Sequence, residues 1–315
     1  MVYPGKGIGV NLSQLYYFNK LAELEHYTNA AKELYITQPA LSDAIHALEH
    51  ELGVPLFQKV GRNVKLTRYG REFNEYVTEA LRQLDKGVAI AKSYTKELSG
   101  EIKIGAIFTV QGDYLPALLG AYGKDVTSLV KFELFQGFTL PLVEGLRAEL
   151  YDIVFAAKPN DTSGLILKKV VSHQLVAFVS KESPIADRES ISLEDLDGLN
   201  VLTYRRGTPI GEEVEEELSK AHLKATQNFE DEITLGGMVA SDSSLVGLGT
   251  LSIGLKSYQN LRIIPIEGVR CDFHDIYLIH RDEEFQSYAL ESFIEYAKSY
   301  VPPKGVIPTT DVLCY

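Results

Sequence analysis

The chain has 315 residues, too many for one small core, and two or three domains are expected. With 45% hydrophobic and 23% charged residues it has the composition of a soluble globular protein, which excludes a disordered or low-complexity chain. A net charge of −12 argues by itself against a nucleic-acid binder, but its distribution reverses that. Residues 1–98 carry 12 of the 31 Lys and Arg against 11 of the 43 Asp and Glu. Lys59, Arg62, Lys65, Arg68 and Arg71 fall within 13 residues with no acid among them. Such a cluster can meet phosphates while the remainder stays acidic. No 18-residue apolar run occurs, so no transmembrane helix is expected. The segment MVYPGKGIGVNLSQ lacks the apolar core of a secretory signal, so a cytoplasmic protein is expected. Cys271 and Cys314 have no metal spacing, and two unpaired thiols fit a reducing compartment.

Residues 1–10 read as disordered. A helix follows over about 12–25, with Leu12, Leu15, Phe18, Leu21 and Ala22 inward. The stretch TNAAKELYITQPALSDAIHALEHELG, residues 28–53, reads as two short helices about a tight turn at Tyr35-Ile36. Thr37 can accept a hydrogen bond from a free amide at the start of the second helix. Pro39 suits that first turn, where a missing N–H costs nothing. Leu41, Ile45, Leu48 and Leu52 recur at helical spacing, and Gly53 ends the run as a cap. This is a helix-turn-helix, whose second helix would enter the DNA major groove. Leu56–Val60, a turn at Gly61-Arg62-Asn63 and Val64–Leu66 predict a hairpin wing, after which Thr67 caps a long helix.

That helix spans about 68–98. Phe73, Val77, Leu81, Leu84, Val88, Ala91, Tyr94 and Leu98 form a stripe longer than one small domain can cover. A second copy of the helix is the natural cover, giving a coiled-coil-like dimer seam; the alternative is a solitary helix packed on its own body.

The run ITQPALSDAIHALEHELGVPLFQKVGRNVKLTRYG resembles the N-terminal signature of LysR-type transcriptional regulators, densely over residues 12–71 and more loosely to about residue 300. The resemblance implies an α/β fold with an all-α, winged N-terminal part. A winged helix-turn-helix would occupy 1–66 and a linker and dimerisation helix 67–98. A periplasmic-binding-protein-like effector domain of two α/β subdomains would occupy 99–300, and a tail 301–315. Subdomain I would hold about 99–172 and 268–300, and subdomain II about 173–267. Implied partners are duplex DNA, a small-molecule effector and the chain itself, as dimer or tetramer, with RNA polymerase a further candidate; no cofactor, metal or membrane is implied. Some members sense oxidants through a cysteine pair, a reading disfavoured here because Cys314 falls in the tail.

On a helical wheel, Pro39, Asp43, His46 and His50 lie opposite the apolar stripe, with Ser42 and Glu49 on a flank. Gln38 sits at the amino end, where groove-entering helices meet base edges. Gln can bond adenine bidentately, and Ser can bond several base edges or a phosphate. In the resembling family the positions of Gln38, Pro39 and Ser42 lie at the DNA, and that of Thr28 meets a backbone phosphate. Asp43 departs from the family, which often has Arg or another polar residue there. It can accept from cytosine N4 or simply face solvent, and His46 and His50 leave the same choice open. Lys59, Arg62 and Arg68 are read as phosphate contacts.

From Ser99-Gly100 the pattern alternates. Glu101–Ile107, Lys131–Phe135 and Asp152–Ala156 are strand-like, with helices at Tyr114–Tyr122 and Leu140–Leu150. A second set follows, with strands near Leu175–Val179, Val201–Tyr204 and Leu245–Leu251 and helices near 209–221 and 232–241. A strand at Asp275–Ile279 and a helix over 285–300 close the chain. Alternation predicts mostly parallel sheets with helices on both faces. In the resembling family the last pair returns to the first subdomain, so that two crossovers form a hinge.

Small ligands favour the cleft between such subdomains. Thr109-Val110-Gln111 and Gln136-Gly137-Phe138-Thr139 each follow a strand and precede a helix, at the carboxyl ends where open α/β sheets bind ligands. The resembling family lines its effector site from these loops, although both Thr residues could act only as helix caps. Across the cleft, Arg205 to Thr208 offers guanidinium groups that pair bidentately with carboxylates, so a carboxylate- or phosphate-bearing effector is expected. The glutamates of residues 212–217 compete for those arginines. The hydroxyl-rich segment Val239–Val246 either contacts a polar effector or only forms a loop.

The competing function classes are an enzyme, or a solute-binding body, with an appended DNA-binding domain. G-x-S-x-G, Walker A, H-E-x-x-H and G-x-G-x-x-G motifs are absent from the sequence, and the seven His are scattered. No catalytic or metal-ligating residue is assigned.

Overall fold

The computed structural model describes residues 9–61, 63–93, 98–282 and 286–308. The chain divides into two compact units, Met1–Lys92 and Ser93–Tyr315.

The first unit comprises α1 (Leu12–Leu24), α2 (Tyr27–Glu33), α3 (Gln38–Leu52), β1 (Phe57–Val60), β2 (Asn63–Leu66) and α4 (Arg68–Ser93). Asn11 and Gln14 cap α1 reciprocally, satisfying two amides that have no helical partner. Thr37 accepts from the Ala40 amide at the start of α3, and Gly53 closes that helix at φ 70°, in the left-handed region that suits glycine. Phe18 is fully buried, with its ring 5.5 Å from Phe57 and 5.2 Å from Phe73. One aromatic side chain thus joins α1, the wing and α4. Glu49 accepts from the amides of Leu56 and Phe57 at 2.7 and 3.0 Å, which ties the wing to α3. Thr67 caps α4 by accepting from Gly70 at 3.0 Å.

The α4 stripe is divided in its role. Phe73, Val77 and Leu81 pack on the core of their own unit, as the solitary-helix alternative requires. Leu84 and Val88 are 40% and 45% exposed. Tyr94, like Arg62 in the wing turn and Cys314, lies outside the described residues.

The second unit contains two five-stranded sheets. The first has the order β4-β3-β5-β12-β6, with β3 (Gly100–Ala106), β4 (Val130–Gln136), β5 (Ile153–Ala157), β6 (Leu165–His173) and β12 (His274–Arg281). The second has the order β11-β7-β10-β8-β9, with β7 (Leu175–Ser180), β8 (Asn200–Tyr204), β9 (Thr226–Phe229), β10 (Leu245–Thr250) and β11 (Leu261–Pro265). Helices α5 (Phe108–Gln111), α6 (Tyr114–Asp125), α7 (Thr139–Arg147) and α11 (Tyr288–Ser299) belong with the first sheet. Helices α8 (Pro209–Lys220), α9 (Glu232–Ser241) and α10 (Ile253–Lys256) belong with the second.

The expectation of mostly parallel sheets needs correction, because both are mixed. β3 pairs in parallel with β4 and β5, whereas β12 runs antiparallel to β5 and β6. β8 pairs in parallel with β9 and β10, whereas β7 runs antiparallel to β10 and β11. The antiparallel strands carry the two crossings between sheets. The chain passes from β6 to β7 through Gln174 alone and returns from β11 to β12. His173 and His274, at the crossings, face each other in the β6–β12 register. Leu251 donates to the Gln174 carbonyl at 2.8 Å, so the first crossing is also tied to the end of β10. The expectation of an unpaired thiol at Cys271 is also corrected, since that residue is disulfide-bonded. Residues 301–308 are more than a loose tail, because Ile307 packs on the core of the first sheet.

Burial pushes the His280 imidazole below its ordinary pKa of 6.5, so the folded protein holds this ring neutral. The unfolded chain then binds more protons, and stability falls as the pH drops below about 6.5. The His280→Gln variant should show a smaller loss of stability between pH 7.5 and pH 5.5 in urea unfolding; an unchanged loss would remove His280 as a contributor.

Candidate DNA interface and effector cleft

In the first unit, α3 buries Leu41, Ile45 and Leu48 and turns Gln38, Pro39, Asp43, His46 and His50 to solvent. Ser42 is half-buried at the margin of that face, and Thr28, on α2, is exposed. Asp43 has no ion-pair partner among the described residues, while His46 lies 3.5 Å from Glu49. In the wing, Lys59 and Lys65 are exposed on neighbouring strands, where Gln58 pairs with Lys65 and Lys59 with Val64. Arg68 pairs with Glu72 at 3.0 Å, and Arg71 donates to the Leu66 carbonyl at 2.9 Å. The Arg71 side chain therefore braces the join between wing and α4.

In the second unit, a cavity of about 220 Å³ lies where the carboxyl ends of six strands meet. Ile107, Phe108 and Thr109 follow β3; Gly137, Phe138 and Thr139 follow β4; Ala157 ends β5. Tyr204 ends β8, Glu230 to Glu232 follow β9, and Thr250 ends β10. His274, the first residue of β12, also lines it. Open α/β sheets bind ligands at this end because the loops there lead into helix amino termini.

The two walls differ. On the side of the first sheet, Phe108 and Phe138 meet with ring centroids 5.8 Å apart. Helices α5 and α7 start from Ile107 and Phe138, neither of which supplies a side-chain cap. On the side of the second sheet, Thr208 caps α8 by accepting from Gly211 at 3.1 Å and donates to the Arg205 carbonyl at 2.9 Å. Asp231 caps α9 through Thr234 at 2.7 Å. Tyr204 accepts from the Thr250 amide at 2.9 Å and lies 3.5 Å from the Glu232 carboxylate. Burial, reinforced by the Glu232 charge, raises the Tyr204 phenol well above its ordinary pKa, so it keeps its proton. His274 Nδ1 sits 2.8 Å from Glu213, linking β12 to α8.

Several expected ligand residues fall elsewhere. Val110 is wholly buried in the core of the first sheet. Gln111 donates to the Ala106 carbonyl at 2.7 Å and accepts from Gln136, so it braces the loop rather than facing the cavity. Arg205 does not line the cavity; it pairs with Glu230 at 2.9 Å, and Arg206 pairs with Glu215 at 2.7 Å. The competing use of these arginines, ion pairing within the protein, is the one realised. Val239–Val246 is absent from the lining, because α9 points its amino end at the cavity and its carboxyl end away. Within this segment Asp242 accepts from Ser244 at 2.9 Å and forms a turn. Thr250, His274 and the acidic run Glu230 to Glu232 were missed in the sequence. The loop after β9 obeys the same strand-to-helix rule as the others and could have been found by it.

Residues 95–302 match the family model of the LysR substrate binding domain, and residues 12–71 match that of the bacterial regulatory helix-turn-helix protein, lysR family. The chain belongs to the LysR family. The regulator is 33% identical over 256 residues to the uncharacterized HTH-type transcriptional regulator YybE of Bacillus subtilis strain 168, covering 80% of this chain and 86% of YybE. Full-length CbnR complexed with its target DNA has a similar fold, with TM-score 0.69 at 22% identity over 92% of this chain and 99% of CbnR. The effector binding domain of QuiR in complex with shikimate gives TM-score 0.58 at 20% identity over 63% of this chain and 95% of that domain. The protein is therefore a DNA-binding transcriptional regulator with an effector-binding domain, not an enzyme. Among the described residues no helix is long and apolar enough to cross a membrane.

A Cβ added at Gly211 would lie 1.9 Å from the Arg205 carbonyl oxygen, so the turn that presents Thr208 tolerates no side chain there. Gly211→Ala should destabilise the second unit by about 1–3 kcal/mol through overpacking, measured by urea unfolding. A change within experimental error would show that the Arg205 to Thr208 turn shifts without cost.

Proposed function

We propose that the regulator reads DNA through α3 and its wing, and that a small molecule held between its two α/β sheets gates that activity in the cytoplasm. The observation that carries the gating half is the cavity where the carboxyl ends of both sheets converge. A ligand touching both walls favours the closed cleft, and it can shift the equilibrium by no more than its preference for that state. Thr109, Gly137, Phe138, Thr139 and Thr208 are the expected ligand residues that line it. A carboxylate- or phosphate-bearing effector has less support, since the lining contains Glu230, Asp231 and Glu232 and no Lys or Arg.

On the DNA side, Gln38 is assigned to base edges, Ser42 to base edges or a phosphate, Pro39 to the DNA-facing surface, and Thr28, Lys59, Arg62 and Arg68 to phosphates. Exposure of this face, with the apolar residues of α3 turned inward, supports the assignment. The Arg68–Glu72 pair is exposed, and such pairs contribute only about 0.3–0.5 kcal/mol, so Arg68 can exchange its partner for a phosphate. Asp43 and His46 lie on the same face as further contacts. Lys59→Ala should weaken binding to all sequences alike and lower the salt slope by about one unit. Gln38→Ala should cost roughly 1–3 kcal/mol on the cognate site and relax preference at one base pair. Equal losses on cognate and random DNA, measured by mobility shift at two salt concentrations, would sink Gln38 as a base reader.

The exposed Leu84 and Val88 of α4 support self-association through residues 67–98, as dimer or tetramer, and such an assembly on promoter DNA could also meet RNA polymerase. Leu84→Glu would place a carboxylate in that seam, and desolvating an unpaired charge costs several kcal/mol. Sedimentation should then show dissociation at micromolar concentration, while a variant still fully associated would move the interface off this stretch of α4.

A further inference from the structure

The chemistry of the cavity lining restricts the class of molecule it takes. Phe108 and Phe138 form an aromatic wall, their rings 5.8 Å apart. Opposite, Glu232 is only 3% exposed, and no cation pairs with it among the described residues. Among the described residues its carboxylate accepts from the Tyr204 hydroxyl alone, at 3.5 Å. The neighbouring acids have partners already: Arg205 holds Glu230 at 2.9 Å, and the Thr234 amide donates to Asp231 at 2.7 Å. A buried carboxylate without a cation is costly, and a ligand that brings one removes that cost. An anion finds only the uncapped start of α7 in its favour, against three carboxylates and, among the described lining residues, no guanidinium or ammonium.

We propose that the effector is a small aromatic or cyclic apolar amine, bound as its ammonium form, with its ring against Phe108 and Phe138 and its N–H groups donated to Glu232. This rests on the cavity being the effector site. The ammonium supplies the charge that Glu232 lacks, and charge-assisted hydrogen bonds are the stronger kind. Bridging from the aromatic wall to Glu232 also joins the two sheets, so the same contacts that select the ligand favour the closed cleft.

Three probes of equal ring size separate the possibilities on the full-length protein: benzylamine, benzyl alcohol and benzoate, each titrated at neutral pH by ligand-observed NMR. Benzylamine should bind roughly tenfold or more tightly than benzoate, the scale of one charged hydrogen bond, with benzyl alcohol between. Glu232→Gln keeps the side-chain shape. It should weaken benzylamine by roughly tenfold and leave benzyl alcohol nearly unchanged. Phe138→Ala should weaken all three. Benzoate binding as tightly as benzylamine, or benzylamine unaffected by Glu232→Gln, would overturn the ammonium assignment while a loss on Phe138→Ala kept the cavity as the site. Absence of binding by every probe, or indifference of all three to Phe138→Ala, would overturn the cavity as effector site and the amine with it.

Discussion

The two chain crossings between the sheets are the constraint on which the second unit depends. One crossing is a single residue, Gln174, and the other runs from the end of β11 to His274. Both enter or leave the first sheet on the paired strands β6 and β12, so His173 and His274 are held side by side. With the crossings at this end, the carboxyl ends of β3, β4 and β5 confront those of β8, β9 and β10 across one cavity. The junction is also where the fold buries polar groups without full satisfaction. His173 is wholly buried, neither ring nitrogen has a hydrogen-bond partner among the described residues, and its Nε2 lies 3.8 Å from Asp113. Burial of such groups costs free energy unless they are paired, so the junction concentrates polar side chains, His173, Asp113 and His274, that the fold must bury.

The same convergence explains the difference between the cavity walls. Helices that begin beside the cavity present unpaired amides to it. On the second sheet those amides are taken by Thr208 and Asp231, and the capping acid stands in a run of three. On the first sheet α7 begins from Phe138, which has nothing to offer an amide but adds its ring to that of Phe108. One wall therefore sets two aromatic rings beside the Thr109 and Thr139 hydroxyls and the uncapped start of α7, the other is acidic and hydroxylated, and a molecule must match both at once to hold them together.

Much of this was legible in the sequence where the determinant is local. Thr37, Pro39 and Gly53 bound α3 through chemistry confined to a few residues, and the apolar spacing of Leu41, Ile45 and Leu48 defines its buried face. The loops after β3, β4 and β8 were likewise readable from a strand followed by a helix. The strands β6, β9 and β11 were not. β6 reads LILKKVVSH and keeps two lysines on a half-exposed edge, while β9 is the four residues TQNF. Missing β9 hid the acidic run after it, and with it the electrostatics of the cavity. The fate of Arg205 was illegible for a different reason. Its partner Glu230 lies on the neighbouring strand's exit loop, and only the β8–β9 pairing brings the two together. Likewise, parallel and antiparallel strands share one side-chain period, so alternation alone could not reveal the mixed sheets.

Ion pairs at the two sites look alike in geometry and differ in consequence. Arg68–Glu72 spans 3.0 Å and Arg205–Glu230 spans 2.9 Å. Separating the first returns Glu72 to water on an exposed helix face, which costs little. Separating the second leaves Glu230 in a lining that already holds Asp231 and Glu232, and like charges in one cavity disfavour each other's ionised forms. Arg68 can therefore be lent to a phosphate at little cost, whereas Arg205 is better placed to balance the acids of its own cleft. A cluster of basic residues is thus weaker evidence of an anion partner where the acids it would leave behind stand beside other acids.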